Sequence, residues 1–143
     1  MRYVYLAVLS YSRYCLSMGL IYSMLTLANP IRLEIQPVKA KALVDTDPVY
    51  LVIPEHVRLQ LQLEEQSTRE VELADGSHRV IPYAGPVETR FKNRVAYVGA
   101  LVMGEEVLLG AIPMEDMDLV LLPKSRLADV NPNSPNIASG KVK

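Results

Sequence analysis

A chain of 143 residues, half of them apolar and with a formal charge of −1 at pH 7, is one domain's worth of polypeptide, long enough to bury a single core. That charge balance gives no electrostatic reason to bind nucleic acid or an anionic membrane surface. One cysteine, Cys15, leaves no internal disulfide or thiolate cluster, two dispersed histidines, His56 and His78, are too few for a zinc site, and no Walker, dinucleotide or Gly-x-Ser-x-Gly pattern occurs.

The chain opens on an apolar, tyrosine-rich segment, Met1 to Ser17, and Leu16 to Ala28 continues apolar. Arg13 interrupts the run, and neither half reaches the roughly 20 residues of a membrane-spanning helix. Arg2, Arg13 and a small-residue end at Thr26-Leu27-Ala28 also fit a signal peptide, in which case the protein is secreted or membrane-associated. Otherwise residues 1–17 are an extension, or were read from a start codon placed too early. The domain then begins at Met18, and the expected location is cytoplasmic.

Asn29 to Pro37 carries a proline at each end and reads as a connection. Val38 to Val44 reads as a strand, with Val38, Ala40, Ala42 and Val44 on one face and Lys39, Lys41 and Leu43 on the other. Asp45 and Thr46 follow directly. A carboxylate and a hydroxyl just past a buried strand either begin a turn or sit where a scaffold positions chemistry. Tyr50 to Ile53 is a short apolar run of strand type. Pro54 to Leu63 suits a short helix, with Pro54 and Glu55 in its first turn and Val57, Leu59 and Leu61 offering apolar surface.

Arg69–Ala74 and His78–Tyr83 flank Asp75-Gly76, a strong hairpin signal. Val87–Phe91 and Arg94–Met103 form a further pair across Lys92-Asn93. Val107-Leu108-Leu109-Gly110 precedes a helix starting near Pro113, and Leu119–Leu122 is expected to be the final strand. Residues 131–143 have Pro, Asn, Ser and Gly without periodicity, the composition of a disordered tail. Many short strands with two short helices argue a mainly β barrel or sandwich.

Three blocks stand in order: A-L-V-D-T at 42–46, V-E-L-A-D-G at 71–76, and L-L-G-A-I-P-M-E-D-M-D-L-V-L at 108–121. Together they resemble the small retropepsin-like aspartic proteases of bacteria, over about Met18 to Asn131. The resemblance implies a retropepsin-like closed β-barrel at residues 18–130, active as a two-fold dimer on a polypeptide substrate, without cofactor or metal. It makes Asp45 the catalytic carboxylate and Thr46 a support whose hydroxyl bonds across the dimer interface. Asp75, Gly76 and Ser77 become the tip of a flap, where the residues alone indicate only a surface hairpin. Gly110 becomes the point where the chain crosses behind the catalytic turn, where the residues alone allow a simple turn glycine.

An aspartic protease needs two carboxylates sharing one proton. One such block per chain therefore demands a pair of chains with the site on the axis. The chain departs from the family at Asp47, where glycine is usual, and at Val49, where a hydroxyl is usual. Pro48 further restricts Asp47 to extended backbone. Two expectations follow: an aspartic endopeptidase built on a homodimer, or a catalytically weak or inactive dimeric module that binds extended peptides by strand addition.

Overall fold

The computed structural model describes residues 20–122 and 124–142. The expected boundary between residues 17 and 18 and the reading of residues 1–17 lie outside them. The described strands are β1 (Tyr22–Ala28), β2 (Val38–Val44), β3 (Leu51–Ile53), β4 (Glu65–Glu72), β5 (His78–Phe91), β6 (Arg94–Val102), β7 (Val107–Leu109), β8 (Leu119–Leu122) and β9 (Leu127–Val130). Helix α1 (Glu55–Leu61) follows β3, and α2 (Ala111–Asp116) follows β7. None of the described helices is long and apolar enough to cross a membrane.

The main sheet runs β1-β2-β7-β3-β6-β5-β4, and β1 also pairs with β5. Six strands thereby close into a barrel, with β4 held on β5 outside the ring. The fold is mainly β, as the residue pattern indicates, and of the two candidate architectures it is the barrel.

Alternation decides what goes inside. In β1, Ser23, Leu25 and Leu27 are buried; in β2, Ala42 and Val44 are buried while Lys39 and Lys41 face water. β3 is buried on both faces. Leu51 and Ile53 join the barrel core with Leu25, Leu27, Val87 and Leu109. Val52 points the other way, into a second cluster with Ile81 and Leu101 that Tyr50, Val71, Tyr83, Met103 and Leu108 extend.

Three details differ from the sequence expectation. β5 is one strand of 14 residues rather than two, because the Gly85-Pro86 interruption is absorbed as a register shift between Ala84 and Val87; a bulge tolerates a residue without an N–H. In α1 only Val57 and Leu61 are buried and Leu59 is 58% exposed, since a helix brings i and i+4 to one face but not i+2.

The third difference is the C-terminal segment. β9 pairs with β8, and residues 131–139 fold back over Asp118, which is 0% exposed. Its carboxylate accepts hydrogen bonds from Asn131 Nδ2 (3.0 Å), the Ser134 hydroxyl and the Ser139 N–H (3.1 Å), with the buried Arg94 guanidinium 4.0 Å away. Arg94 in turn donates to the Ser134 carbonyl, and Asn93 Nδ2 donates to that of Pro135 (2.9 Å). The segment is seated by polar pairing, which leaves no hydrophobic period to read.

Desolvation pushes the Asp118 carboxyl up, but the bonds from Ser134, Asn131 and Ser139 and the Arg94 charge outweigh it, holding it below the ordinary range. A depressed carboxylate stabilises the fold above its unfolded pKa, about 3.9, and that contribution is lost as pH falls through the folded value. A chain ending at Val130 is expected to lose about 2–4 kcal/mol at pH 7, because a buried charge is left short of donors. The difference from the full chain should narrow toward pH 3. Urea unfolding of both proteins at the two pH values measures it.

Candidate functional site

β7 lies between β2 and β3, parallel to β2 and antiparallel to β3. The connection from β2 to β3 must therefore span two strand spacings, roughly 9–10 Å, across the end of β7. That connection is residues 45–50, and the strand end beneath it is Leu109-Gly110. The crossing is stitched on both sides: the Asp45 N–H donates to Leu109 O (3.1 Å), the Ala111 N–H to Pro48 O (3.1 Å) and the Ile112 N–H to Val49 O (2.8 Å). The first N–H groups of α2, which a helix leaves unpaired, thus hold the loop. A Cβ at Gly110 would fall onto the Tyr50 carbonyl and 2.6 Å from Pro48 O, so only glycine lets the two backbones cross here.

Within this loop Asp45 is half-buried, Thr46 is buried and Asp47 is exposed. The Asp47 N–H donates to Asp45 Oδ1 (3.0 Å), an Asx turn that fixes the carboxylate. Burial pushes the Asp45 carboxyl up; the Asp47 N–H pulls it down, and the Asp47 charge pushes it further up, for a net rise above the ordinary range. Thr46, which the resemblance has bonding across an interface, is 4% exposed, and its Oγ1 is enclosed without a hydrogen-bond partner among the described residues.

Asp45 opens onto a groove of about 710 Å³. Its floor is the outer apolar cluster, with Val52, Leu101, Met103 and Leu108, and Tyr50 at one side. The opposite wall is the hairpin stem, Glu70 to Ala74. The tip residues Asp75, Gly76 and Ser77 do not line the groove. They close the hairpin, with Gly76 at φ +85° and the Ser77 N–H on Asp75 Oδ1 (2.9 Å). The Ser77 hydroxyl and N–H hold the Asp75 carboxyl below the ordinary range.

The structure thus brings Asp45, Asp47 and the flanks of the hairpin to one place, with Gly110 behind the loop. The groove floor escaped the sequence reading, although Val52 and Leu101 carried a usable signal: each is the apolar residue in a buried run whose neighbours already fill the barrel. Among the described residues, no three His, Cys, Asp or Glu side chains come together as metal ligands.

Fold and site together define a mainly β protein with a closed six-strand barrel and an apolar groove entered by one half-buried carboxylate. The chain matches no protein-family model and no curated protein.

Asp45 supplies a test of this environment. Its raised folded-state value means that the ionised form is disfavoured on folding. At pH 7 Asp45 therefore detracts from stability, and the penalty disappears as pH falls below the unfolded value. Asp45→Asn keeps the oxygen that accepts the Asp47 N–H. It is expected to melt above the wild type at pH 7 and together with it at pH 3, by calorimetry.

Proposed function

We propose that this protein is an aspartic endopeptidase of retropepsin type, with Asp45 from each of two chains forming one catalytic dyad. The observation that carries the reading is a single half-buried carboxylate of raised pKa, at a backbone crossing over Gly110, opening onto a peptide-sized apolar groove. One such carboxylate cannot be both acid and base, so a second copy must supply the other.

In the dyad, two carboxylates share one proton because like charges at close range cannot both ionise. The ionised Asp45 takes a proton from a water as its oxygen attacks the scissile carbonyl. The protonated Asp45 gives its proton to the carbonyl oxygen, leaving a neutral tetrahedral diol. Collapse of the diol breaks the C–N bond as one hydroxyl returns its proton to the dyad and the nitrogen takes a proton from it. Products are a carboxylic acid and an amine, and the dyad is restored. The hairpin stem opposite Asp45 suits an extended backbone laid beside a strand. The Thr46 hydroxyl is buried without a partner among the described residues; a bond from it to a second copy would relieve about 1–3 kcal/mol of desolvation cost.

A second reading is favoured by two residues. Asp47 puts a charged side chain where close substrate approach is needed, and Val49, 49% exposed, has no hydroxyl to give the catalytic carboxylate. On that reading the groove binds extended peptides without cleaving them.

Cleavage of a peptide library from pH 3 to pH 8 by the wild type, Asp45→Asn and Asp47→Gly separates the two. The expected result is weak wild-type cleavage, none by Asp45→Asn, and an increase of tenfold or more in Asp47→Gly. Removing the Asp47 charge lowers the dyad's apparent pKa values, so the optimum of the glycine variant should move to lower pH. An Asp47→Gly protein as inactive as Asp45→Asn on every substrate would favour the binding module.

A further inference from the structure

Tyr83 stands where the hairpin leaves the barrel. It is the last residue of β5 toward the hairpin tip that pairs with β6, opposite Leu101, and beyond it β5 pairs only with β4. Among the described residues β4 has no other strand partner. The hairpin is therefore a two-stranded arm, and its angle to the barrel depends on the side chains near its base. Val71, Ile81 and Tyr83 all turn to the outer cluster.

Gly99 is the seat for the Tyr83 ring. β3 and β6 run parallel with Leu51 level with Ala100, so Tyr50, just before β3, comes level with Gly99. β6 lies between β3 and β5, and with no side chain at Gly99 the two tyrosines meet from either side of it. Their ring centroids are 5.6 Å apart with planes at 69°, the edge-to-face arrangement that aromatic pairs favour. A Cβ at Gly99 would fall onto the Tyr83 ring at Cζ, Cε2 and the hydroxyl oxygen. The Arg69 guanidinium lies over the same ring, 4.0 Å from its centroid, within reach of cation–π attraction. Its Nη1 donates to Ser67 Oγ (2.7 Å) and Thr68 O (3.1 Å).

Tyr50 belongs to the 45–50 loop and lines the groove, whereas Tyr83 does not line it. Their contact joins the base of one wall, the hairpin, to the other, the Asp45 loop. We propose that Tyr83 is a positioning residue of the groove: seated on Gly99 and against Tyr50, its ring holds the hairpin stem at a fixed distance from the Asp45 loop. This inference rests on the reading of the groove as a peptide site. An edge-to-face pair contributes about 2- to 12-fold to an equilibrium constant and a cation–π contact about 2- to 5-fold. Losing both should weaken peptide binding roughly tenfold, through a smaller population of the closed arm. Tyr83→Phe keeps the ring and should keep the effect.

The test uses the full chain and a fluorescent extended peptide of apolar residues, made uncleavable by a hydroxyethylene isostere at its central bond. In anisotropy titrations at pH 7, Tyr83→Ala and Gly99→Ala should each bind about tenfold more weakly than the wild type, and Tyr83→Phe within about twofold of it. Tyr83→Ala/Gly99→Ala should bind no more weakly than Tyr83→Ala, because the added methyl then meets no ring. Wild-type binding by Gly99→Ala, a loss in Tyr83→Phe as large as in Tyr83→Ala, or independent losses in the double variant would overturn the proposal. Amide hydrogen exchange without peptide separates positioning from general stability. Exchange in β4 and His78–Ile81 should quicken about tenfold in Tyr83→Ala and Gly99→Ala, while amides of β1, β2 and β7 keep their wild-type rates. Equal quickening throughout would make Tyr83 a stabilising residue only and overturn the proposal. If no protein binds the peptide, the peptide reading falls, and the exchange result alone upholds or overturns the attachment of the arm.

Discussion

The crossing of residues 45–50 over Gly110 is the constraint on which the site depends. It exists because β7 is inserted between β2 and β3, so a short connection must pass over the end of a strand it does not follow in sequence. The crossing leaves no room for a Cβ beneath the carbonyls of Pro48 and Tyr50, and it ties the loop to the start of α2 through two backbone hydrogen bonds. Rigidity at Asp45 is thus a consequence of topology and of one missing side chain. A carboxylate on a free surface loop would be fully hydrated; here the barrel withdraws it partway from water.

That partial withdrawal sets the electrostatics. Burial raises the proton affinity of Asp45, and the Asp47 N–H works against it from the same turn. Asp47 therefore acts in two senses, its backbone favouring the ionised carboxylate and its side chain disfavouring it. A glycine at 47 would keep the first effect and lose the second, so under the proposed function this position is the one that distinguishes a catalytic dyad from a peptide-binding module. The buried Thr46 hydroxyl adds a further cost at the same loop. The Asp45 loop thus joins one unpaired hydroxyl to one raised carboxylate. The Asp118 carboxylate, buried more deeply, instead takes hydrogen bonds from Asn131, Ser134 and Ser139, although Arg94 beside it keeps Nε and Nη1 without a partner among the described residues.

Much of this could be read from the residues. Alternation in Val38–Val44 identified the buried face of β2, the short apolar run Tyr50 to Ile53 identified β3, which begins one residue later at Leu51, and Asp75-Gly76 identified the hairpin. From the residues alone the Asp45 segment read first as local turn chemistry and second as a site, and the structure contains the turn: the Asp47 N–H bond to Asp45 is one. What could not be read depends on long-range pairing. β7 is three residues long, and nothing in Val107-Leu108-Leu109 says that it will separate β2 from β3. The groove floor needs side chains from β3, β6 and β7 together. The seating of residues 131–139 rests on a carboxylate, a guanidinium and several amide and hydroxyl groups, none of which leaves a periodic trace.

The central claim is that two chains combine one Asp45 each into one site. Its most direct measurement is the stoichiometry of a statine-type transition-state mimic, followed by sedimentation velocity at micromolar protein with a fluorescent inhibitor. One inhibitor should bind per two chains and co-sediment with a dimer, with no such complex in Asp45→Asn. A strict monomer at high concentration, or one inhibitor bound to each chain, would contradict it.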